Sequence, residues 1–162
     1  MPTPRCATGA THIPGVGDIV VGGYVETEGV MQHTDKAEIL LTTASPLGHA
    51  GSWCEIAPML RSSGFPAAEF FNGNVYVAGH LLASTSVEML SLFSEGPPQW
   101  TKVINAPFST VSIISFNGGL MFGGEFSKSE FICVYTVRQT NFYLDFAVVF
   151  VEGTPDPWYF SL

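Results

Sequence analysis

The sequence predicts an all-β fold built from short antiparallel strands. Three apolar runs have the length and residue content of buried strands: 19–21, 74–78 and 120–122. An Asn-Gly pair precedes the second and third runs, and such pairs favour tight hairpin turns because both residues tolerate positive φ. A glycine stop ends each run, and these glycines are Gly22, Gly23, Gly79, Gly123 and Gly124. Each unit therefore contains a hairpin turn, a buried strand and a glycine stop.

Length and composition restrict the class of protein. With 162 residues, of which 46% are hydrophobic, the chain is long enough for one domain with its own core and too apolar for disorder. Only 12% of the residues are charged, and 6 basic against 14 acidic side chains give a net charge of −8. This balance argues against nucleic-acid partners and against a polybasic membrane patch.

The cysteines and the first residues indicate the compartment. Cys6, Cys54 and Cys133 are odd in number and widely spaced, which fits neither a disulfide framework nor a zinc site. Residues 1–6 have no apolar run, so we expect no signal peptide. The longest uncharged stretch, 103–124, is interrupted by proline, asparagine and glycine, so we expect no membrane span. These features predict free thiols and a cytoplasmic location.

A repeat of about 50 residues runs along the chain. The alternating segment 37–41 matches 87–91, 50 residues later, and Trp53 matches Trp100 at a separation of 47. Arg5 and Arg61, 56 residues apart, open the first two units. A repeat near this length with four short strands is typical of β-propeller blades. We predict blades at 5–60, 61–106 and 107–162, the last of them degenerate.

Several of these features in order resemble the kelch repeat. In the first unit they are Gly22-Gly23, the segment 37–40, Trp53 and the Ala-Pro-Met segment 57–59. In the second unit they are 76–80, 87–90 and Trp100, with His80 in the place of the second glycine. The resemblance covers residues 5–104 well and 105–126 fairly. It implies a partial β-propeller of two to three four-stranded kelch blades.

The recurring residues have physical roles in such a blade. Glycines allow the inner backbones to approach closely and turn sharply. Trp53 and Trp100 have the area to wedge between adjacent blades, and each indole N–H can donate to a carbonyl. Glu38 and Glu88 occupy the same repeat position, which indicates a structural role such as a hydrogen bond between blades.

Chemistry-bearing motifs are absent from the sequence. The four histidines, His12, His33, His49 and His80, show no metal-ligand spacing, and there is no Gly-x-Ser-x-Gly motif. The glycines at 15 and 17 precede a predicted strand, whereas the glycines of a dinucleotide site open a helix, so they do not indicate such a site. We therefore predict no catalytic residues, no metal and no cofactor.

The resemblance implies a partner surface on loops at one end of the propeller, because kelch domains hold their partners there. By position these loops are 24–35, 80–85, 125–129 and the links between units at 62–64 and 107–108. Their acidic side chains would steer a basic partner peptide. The candidate partner-binding residues are Tyr24, Glu26, Glu28, Ser62, Ser63, His80, Glu125 and Phe126.

The predicted function is a non-catalytic protein–protein interaction module. The resemblance implies the role of kelch chains with an N-terminal BTB domain, which serve as substrate adaptors of ubiquitin ligases, although we expect no BTB segment because the repeat begins at about Arg5. One alternative is a kelch-like enzyme of the copper sugar oxidase or mutarotase type. Another is a truncated gene fragment without independent function, which the aggregation-prone stretch 142–151 favours. Because three blades leave two faces open, we also consider a homodimer of six blades or a continuation by missing blades.

Overall fold

The computed structural model describes residues 1–80, 85–92, 96–106, 109–116, 118–125, 131–140 and 143–152. The fold is all-β, and the described residues form strands, turns and loops without a helix. The prediction of a partial propeller-like all-β fold is confirmed, because the strands form successive four-stranded antiparallel sheets.

Sheet 1 has the strand order β1-β2-β5-β6, with a separate hairpin, β3-β4, inserted after β2. These strands are β1 Gly9–Ile13, β2 Gly17–Val21, β3 Tyr24–Thr27, β4 Val30–His33, β5 Ala37–Leu41 and β6 Trp53–Ile56. Every neighbouring pair is antiparallel. Sheet 1 is therefore an up-and-down meander with one hairpin projecting from it.

Sheets 2 and 3 have the same up-and-down order without an insertion. Sheet 2 contains β7 Gly64–Phe71, β8 Asn74–His80, β9 Thr85–Ser91 and β10 Gln99–Ala106. Sheet 3 contains β11 Ser109–Phe116, β12 Gly119–Glu125, β13 Phe131–Thr140 and β14 Tyr143–Glu152. The first strand of each sheet contacts the first strand of the next, β1 with β7 and β7 with β11. This is the arrangement of successive propeller blades around a centre.

The core lies between the sheets rather than within any one of them. Along β8, Val75 and Val77 pack toward sheet 1, whereas Tyr76 and Ala78 pack toward sheet 3. Alternate side chains of a strand point to opposite faces, so a continuous apolar run is expected of a strand that is covered on both sides. Sheet 2 is therefore the middle layer of the described structure.

Equivalent residues of sheets 2 and 3 lie at the same distance from the hairpin turn and not at the same distance from the glycine stop. Gly73 and Gly118 follow the Asn-Gly prediction, with φ of 80° and 73°, and they lie 45 residues apart. Leu120, 45 residues after Val75, occupies the matching inward position and is completely buried. The glycine stops are 44 residues apart, so β12 is one residue shorter between turn and stop. Alignment on the glycines would have placed the core residues on the wrong face.

The repeat predicted from the sequence is also a repeat of strand register. Leu40 pairs with Trp53 in sheet 1, and Leu90 pairs with Trp100 in sheet 2. The two glutamates correspond in the same way, since Glu38 pairs with Val20 and Glu88 with Val77. Residues that recur in the sequence thus occupy equivalent positions in sheets 1 and 2.

Candidate functional site

The antiparallel order divides the connections between two ends of the sheets, and one end carries the projecting hairpin. The chain leaves β2 and enters β5 at this end, and the link from β6 to β7 lies there as well. We call it the loop end, and the opposite end, with the β7–β8 turn and the loop after β5, the turn end. The described parts of the loop end are the β3-β4 hairpin and the segment 57–63.

Backbone hydrogen bonds join three segments at the loop end. Cys6 and Tyr24 exchange two of them, with N···O distances of 3.1 and 2.9 Å. The Gly23 N–H donates to the Ser63 carbonyl at 2.7 Å. A Cβ on Gly22, whose φ is 57°, would lie 2.7 Å from the same carbonyl oxygen. Glycine is therefore required where the hairpin leaves sheet 1 and meets the link to sheet 2.

Three rings cluster at this junction. The Tyr24 ring makes edge contacts with His33, at a centroid distance of 4.6 Å, and with Phe65, at 5.5 Å. It lies so close to Gly64 that a Cβ there would be 2.5 Å from the ring. Tyr24 is half-buried, whereas Phe65 is 62% exposed. The cluster therefore combines a fixed tyrosine with a phenylalanine that faces the solvent.

The backbone of Phe65 is strained. Its φ is 53°, a region that bulky residues rarely occupy, and its N–H donates to the Ala7 carbonyl at 3.1 Å. Such strain persists only where the surroundings hold it, and it concentrates at functional sites. At this position the strained backbone conformation leaves the apolar ring of Phe65 exposed to solvent.

The hairpin register extends the cluster along one face. Tyr24 pairs with His33 and Glu26 pairs with Met31, and residues two apart on a strand share a face. Glu26 is exposed, and Met31 is 50% exposed. We call this surface the aromatic–acidic strip, and its members are Phe65, Tyr24, His33, Glu26 and Met31.

The candidate partner-binding residues fall in different places. Tyr24 and Glu26 belong to the strip, while Glu28 is exposed at the tip of the hairpin and Ser62 is exposed in the link. Ser63 is only 6% exposed, with its N–H donating to Thr34 and its carbonyl accepting from Gly23. We therefore leave Ser63 out of the proposed surface.

Of the three remaining candidates, His80 and Glu125 lie in paired strands. His80 pairs with Gly64, and Glu125 pairs with Ser109. Phe126 lies outside the described residues.

Three members of the strip were not predicted from the sequence: Met31, His33 and Phe65. Segment 24–35 was predicted as a loop, although Gly29 supplies the positive φ of a two-residue turn between 24–27 and 30–33. Met31 and His33 could have been found from that turn. Phe65 could not, because a positive φ in a bulky residue has no signature in the sequence.

Glu38 is part of a buried ion pair on sheet 1. Its Oε2 lies 3.1 Å from Nη2 of Arg5, and both side chains are fully buried. The Thr3 hydroxyl donates to Oε1 at 2.7 Å. Burial lowers the pKa of Arg5, and the negative charge of Glu38 opposes that shift. The pair fixes the segment 3–5 on the sheet.

Glu88 performs the equivalent task on sheet 2. It accepts a hydrogen bond from the Leu60 N–H at 2.8 Å, and the Arg61 cation lies near it. Burial raises the pKa of Glu88, whereas Leu60 and Arg61 act in the opposite direction. Because Leu60 and Arg61 belong to the link from sheet 1, the predicted hydrogen bond between blades is confirmed for Glu88.

Trp100 joins sheets 1 and 2 as the sequence predicts. It is 5% exposed, and its indole N–H donates to the Ala57 carbonyl at 2.8 Å. Trp53 holds the equivalent position on sheet 1 but is half-buried, and its indole makes no hydrogen bond to any residue that the structure describes. The face of sheet 1 that bears Trp53 is the one turned away from sheet 2.

In the described ranges, no group of three or more His, Cys, Asp or Glu side chains could hold a metal ion. Cys6 is exposed and Cys54 is half-buried, and both are free thiols. The described part of the chain includes no helix with the length and apolar content needed to span a membrane.

Comparison with known proteins gave no assignment. No protein-family model matches the chain, and the search of the curated proteins found no significant match.

Proposed function

We propose that this chain is a kelch-type propeller segment that acts as a non-catalytic interaction module and binds a protein partner at its loop end. The observation that carries the proposal is Phe65, an aromatic ring that is 62% exposed on a strained backbone. The Phe65 N–H donates to the Ala7 carbonyl, and its ring makes an edge contact with Tyr24. Exposed aromatic side chains on a rigid scaffold are typical of binding surfaces.

Charge indicates the kind of protein that would bind. The chain carries a net charge of −8, and Glu26, Glu28 and Asp35 are exposed at the loop end. A negative surface attracts basic partners over several ångströms, and salt weakens that attraction. The proposed partner is therefore a basic protein segment that also covers Phe65.

The kelch resemblance supports a finer proposal. The bound protein would be a substrate of a ubiquitin ligase, and this chain would contribute recognition within the adaptor. We propose a cytoplasmic location for that complex because Cys6 and Cys54 are free thiols, as expected in a reducing compartment.

Selection of short peptides displayed on phage tests the proposal. The immobilised chain should enrich basic peptides that bind less tightly as salt increases. Phe65→Ser should abolish their binding. Leu47→Ser is the matched control, because Leu47 is 40% exposed in the loop after β5, at the turn end. Failure to enrich any peptide, or enrichment of peptides that bind both variants equally, would contradict the proposed site.

A further inference from the structure

We propose that the aromatic–acidic strip is a receptor for one cationic side chain, an arginine or a lysine of the partner. The inference deepens the proposed function, on which it rests. In this arrangement the cation lies against the exposed ring of Phe65, and the carboxylate of Glu26 balances its charge.

The aromatic part of the strip suits a cation. Arginine and lysine bind over the faces of aromatic rings at centroid distances up to about 6 Å. The rings of Tyr24 and Phe65 meet at 69°, so they are not stacked face to face. Because Phe65 is 62% exposed, much of its ring surface is open to a ligand. The contacts of Tyr24 with His33 and Gly64 fix the tyrosine before any partner arrives.

The acidic part of the strip supplies the charge. Glu26 lies two residues from Tyr24 on β3 and therefore on the same face of the hairpin. Its carboxylate makes no ion pair with the residues that the structure describes. Lys36 is not available to it, since that ammonium lies 3.2 Å from Glu55. An arginine from a partner could donate charge-assisted hydrogen bonds to the free carboxylate.

The apolar part of the strip suits the stem of such a side chain. Met31 lies directly across the hairpin from Glu26 and is 50% exposed. Long cationic side chains bury their methylene groups along apolar surface while the charged head seeks a polar partner. The strip thus offers a ring, a carboxylate and a flexible thioether on one face.

The test uses two small probes that differ in charge. N-acetyl-arginine amide carries the guanidinium, and N-acetyl-citrulline amide has nearly the same shape without charge. Each is titrated into the full chain while NMR records the methionine methyl groups and the histidine rings. The arginine probe should shift the resonances of Met31 and His33 until they saturate. The citrulline probe should bind with an affinity lower by roughly two- to five-fold or more.

Matched variants locate the effect. Glu26→Gln should weaken binding of the arginine probe and leave binding of the citrulline probe nearly unchanged, so that the preference for arginine falls. Glu28→Gln makes the same charge change at the exposed tip of the hairpin and should leave binding within about two-fold of the unaltered chain. Phe65→Leu should lower the affinity of the arginine probe more than that of the citrulline probe, because it removes the aromatic ring and retains the apolar contact. An unchanged methyl resonance of the buried Met59 shows that each variant is folded.

The outcomes separate this inference from the proposed function. Equal binding of both probes, or no shift at Met31 and His33, would overturn the cation receptor. If phage-selected peptides still require Phe65 in that case, the interaction module stands and its ligand is apolar rather than cationic. If arginine binds selectively but no peptide is enriched, the receptor stands and the proposed function fails.

Discussion

At the scale of single residues, the two buried glutamates show how this fold fixes its connections. Glu38 and Glu88 lie on third strands, and each binds a segment that precedes its own sheet. A buried carboxylate is costly unless it is paired and hydrogen-bonded. The recurrence of glutamate was readable from the sequence, but the Leu60 partner of Glu88 was not, because Leu60 contributes a backbone N–H group that any residue has.

Removal of Arg5 should be strongly destabilising. Arg5→Ala leaves Glu38 charged and buried with Thr3 as its remaining partner, which should cost about 3–5 kcal/mol of unfolding free energy. Lys36→Ala is the control, since its pair with Glu55 is exposed and should be worth less than about 1 kcal/mol. Urea denaturation followed by tryptophan fluorescence measures both. Equal losses in the two variants would contradict a buried ion pair.

Glu88 should make stability depend on pH in an unusual direction for a carboxylate. Its pKa is raised in the folded chain, so the folded state holds the proton more tightly than the unfolded state. The resulting stabilisation is present below the ordinary pKa of glutamate and is lost as pH rises through the raised value. Glu88→Gln keeps an acceptor for Leu60 and should flatten the unfolding free energy across that window.

Urea titrations at several pH values from acidic to neutral test this expectation. Glu28→Gln is the control, because that side chain is exposed at the hairpin tip. A Glu88→Gln profile parallel to that of the unaltered chain would show that another group carries the pH dependence.

At the scale of elements, the junction of the β3-β4 hairpin with the link to sheet 2 depends on Gly22. Gly22→Ala combines a positive φ of 57° with a Cβ placed 2.7 Å from the Ser63 carbonyl oxygen. Gly15→Ala has a φ of 75° but no atom within 4 Å of the new Cβ. The control should lose about 1–2 kcal/mol from φ alone. Gly22→Ala should lose roughly 1–3 kcal/mol more from overpacking.

Thermal unfolding of the two glycine variants gives the comparison. The Gly22 variant should also broaden the His33 ring resonances, since the hairpin that carries His33 is attached through this junction. Equal melting temperatures for the two variants would mean that the junction relaxes freely around the new methyl group.

The elements also show which parts of the fold a sequence can specify. Asn72-Gly73 predicted the β7–β8 turn correctly because both residues adopt positive φ there. Spacing from a glycine stop does not determine which face a strand presents: Gly79 and Gly123 are 44 residues apart, whereas the equivalent inward residues Val75 and Leu120 are 45 apart. The strip was only partly predictable, because Phe65 joins it through a tertiary contact with Tyr24.

At the scale of the whole molecule, the described residues of sheet 2 pack against a neighbouring sheet on both faces, whereas those of sheets 1 and 3 pack against one neighbouring sheet each. Sheet 3 exposes Ile114 by 52% and Phe116 by 62% on the face turned away from sheet 2. Sheet 1 presents Trp53 on the face turned away from sheet 2. Trp53 corresponds in position to Trp100 of sheet 2, whose indole N–H donates to the Ala57 carbonyl in the link from sheet 1. Exposed apolar faces of this kind are association sites in solution.

We therefore expect the chain to self-associate, with sheet 3 of one copy packed on sheet 1 of another. Trp53→Thr and Phe116→Thr each spoil one of the two faces and keep a residue suited to a strand. Light scattering across a dilution series should show weaker association for either variant alone. A mixture of the two should recover part of it, because each copy retains the face that the other has lost. Mixing without recovery would show that like faces meet, and a monomer at every concentration would show that the faces stay open.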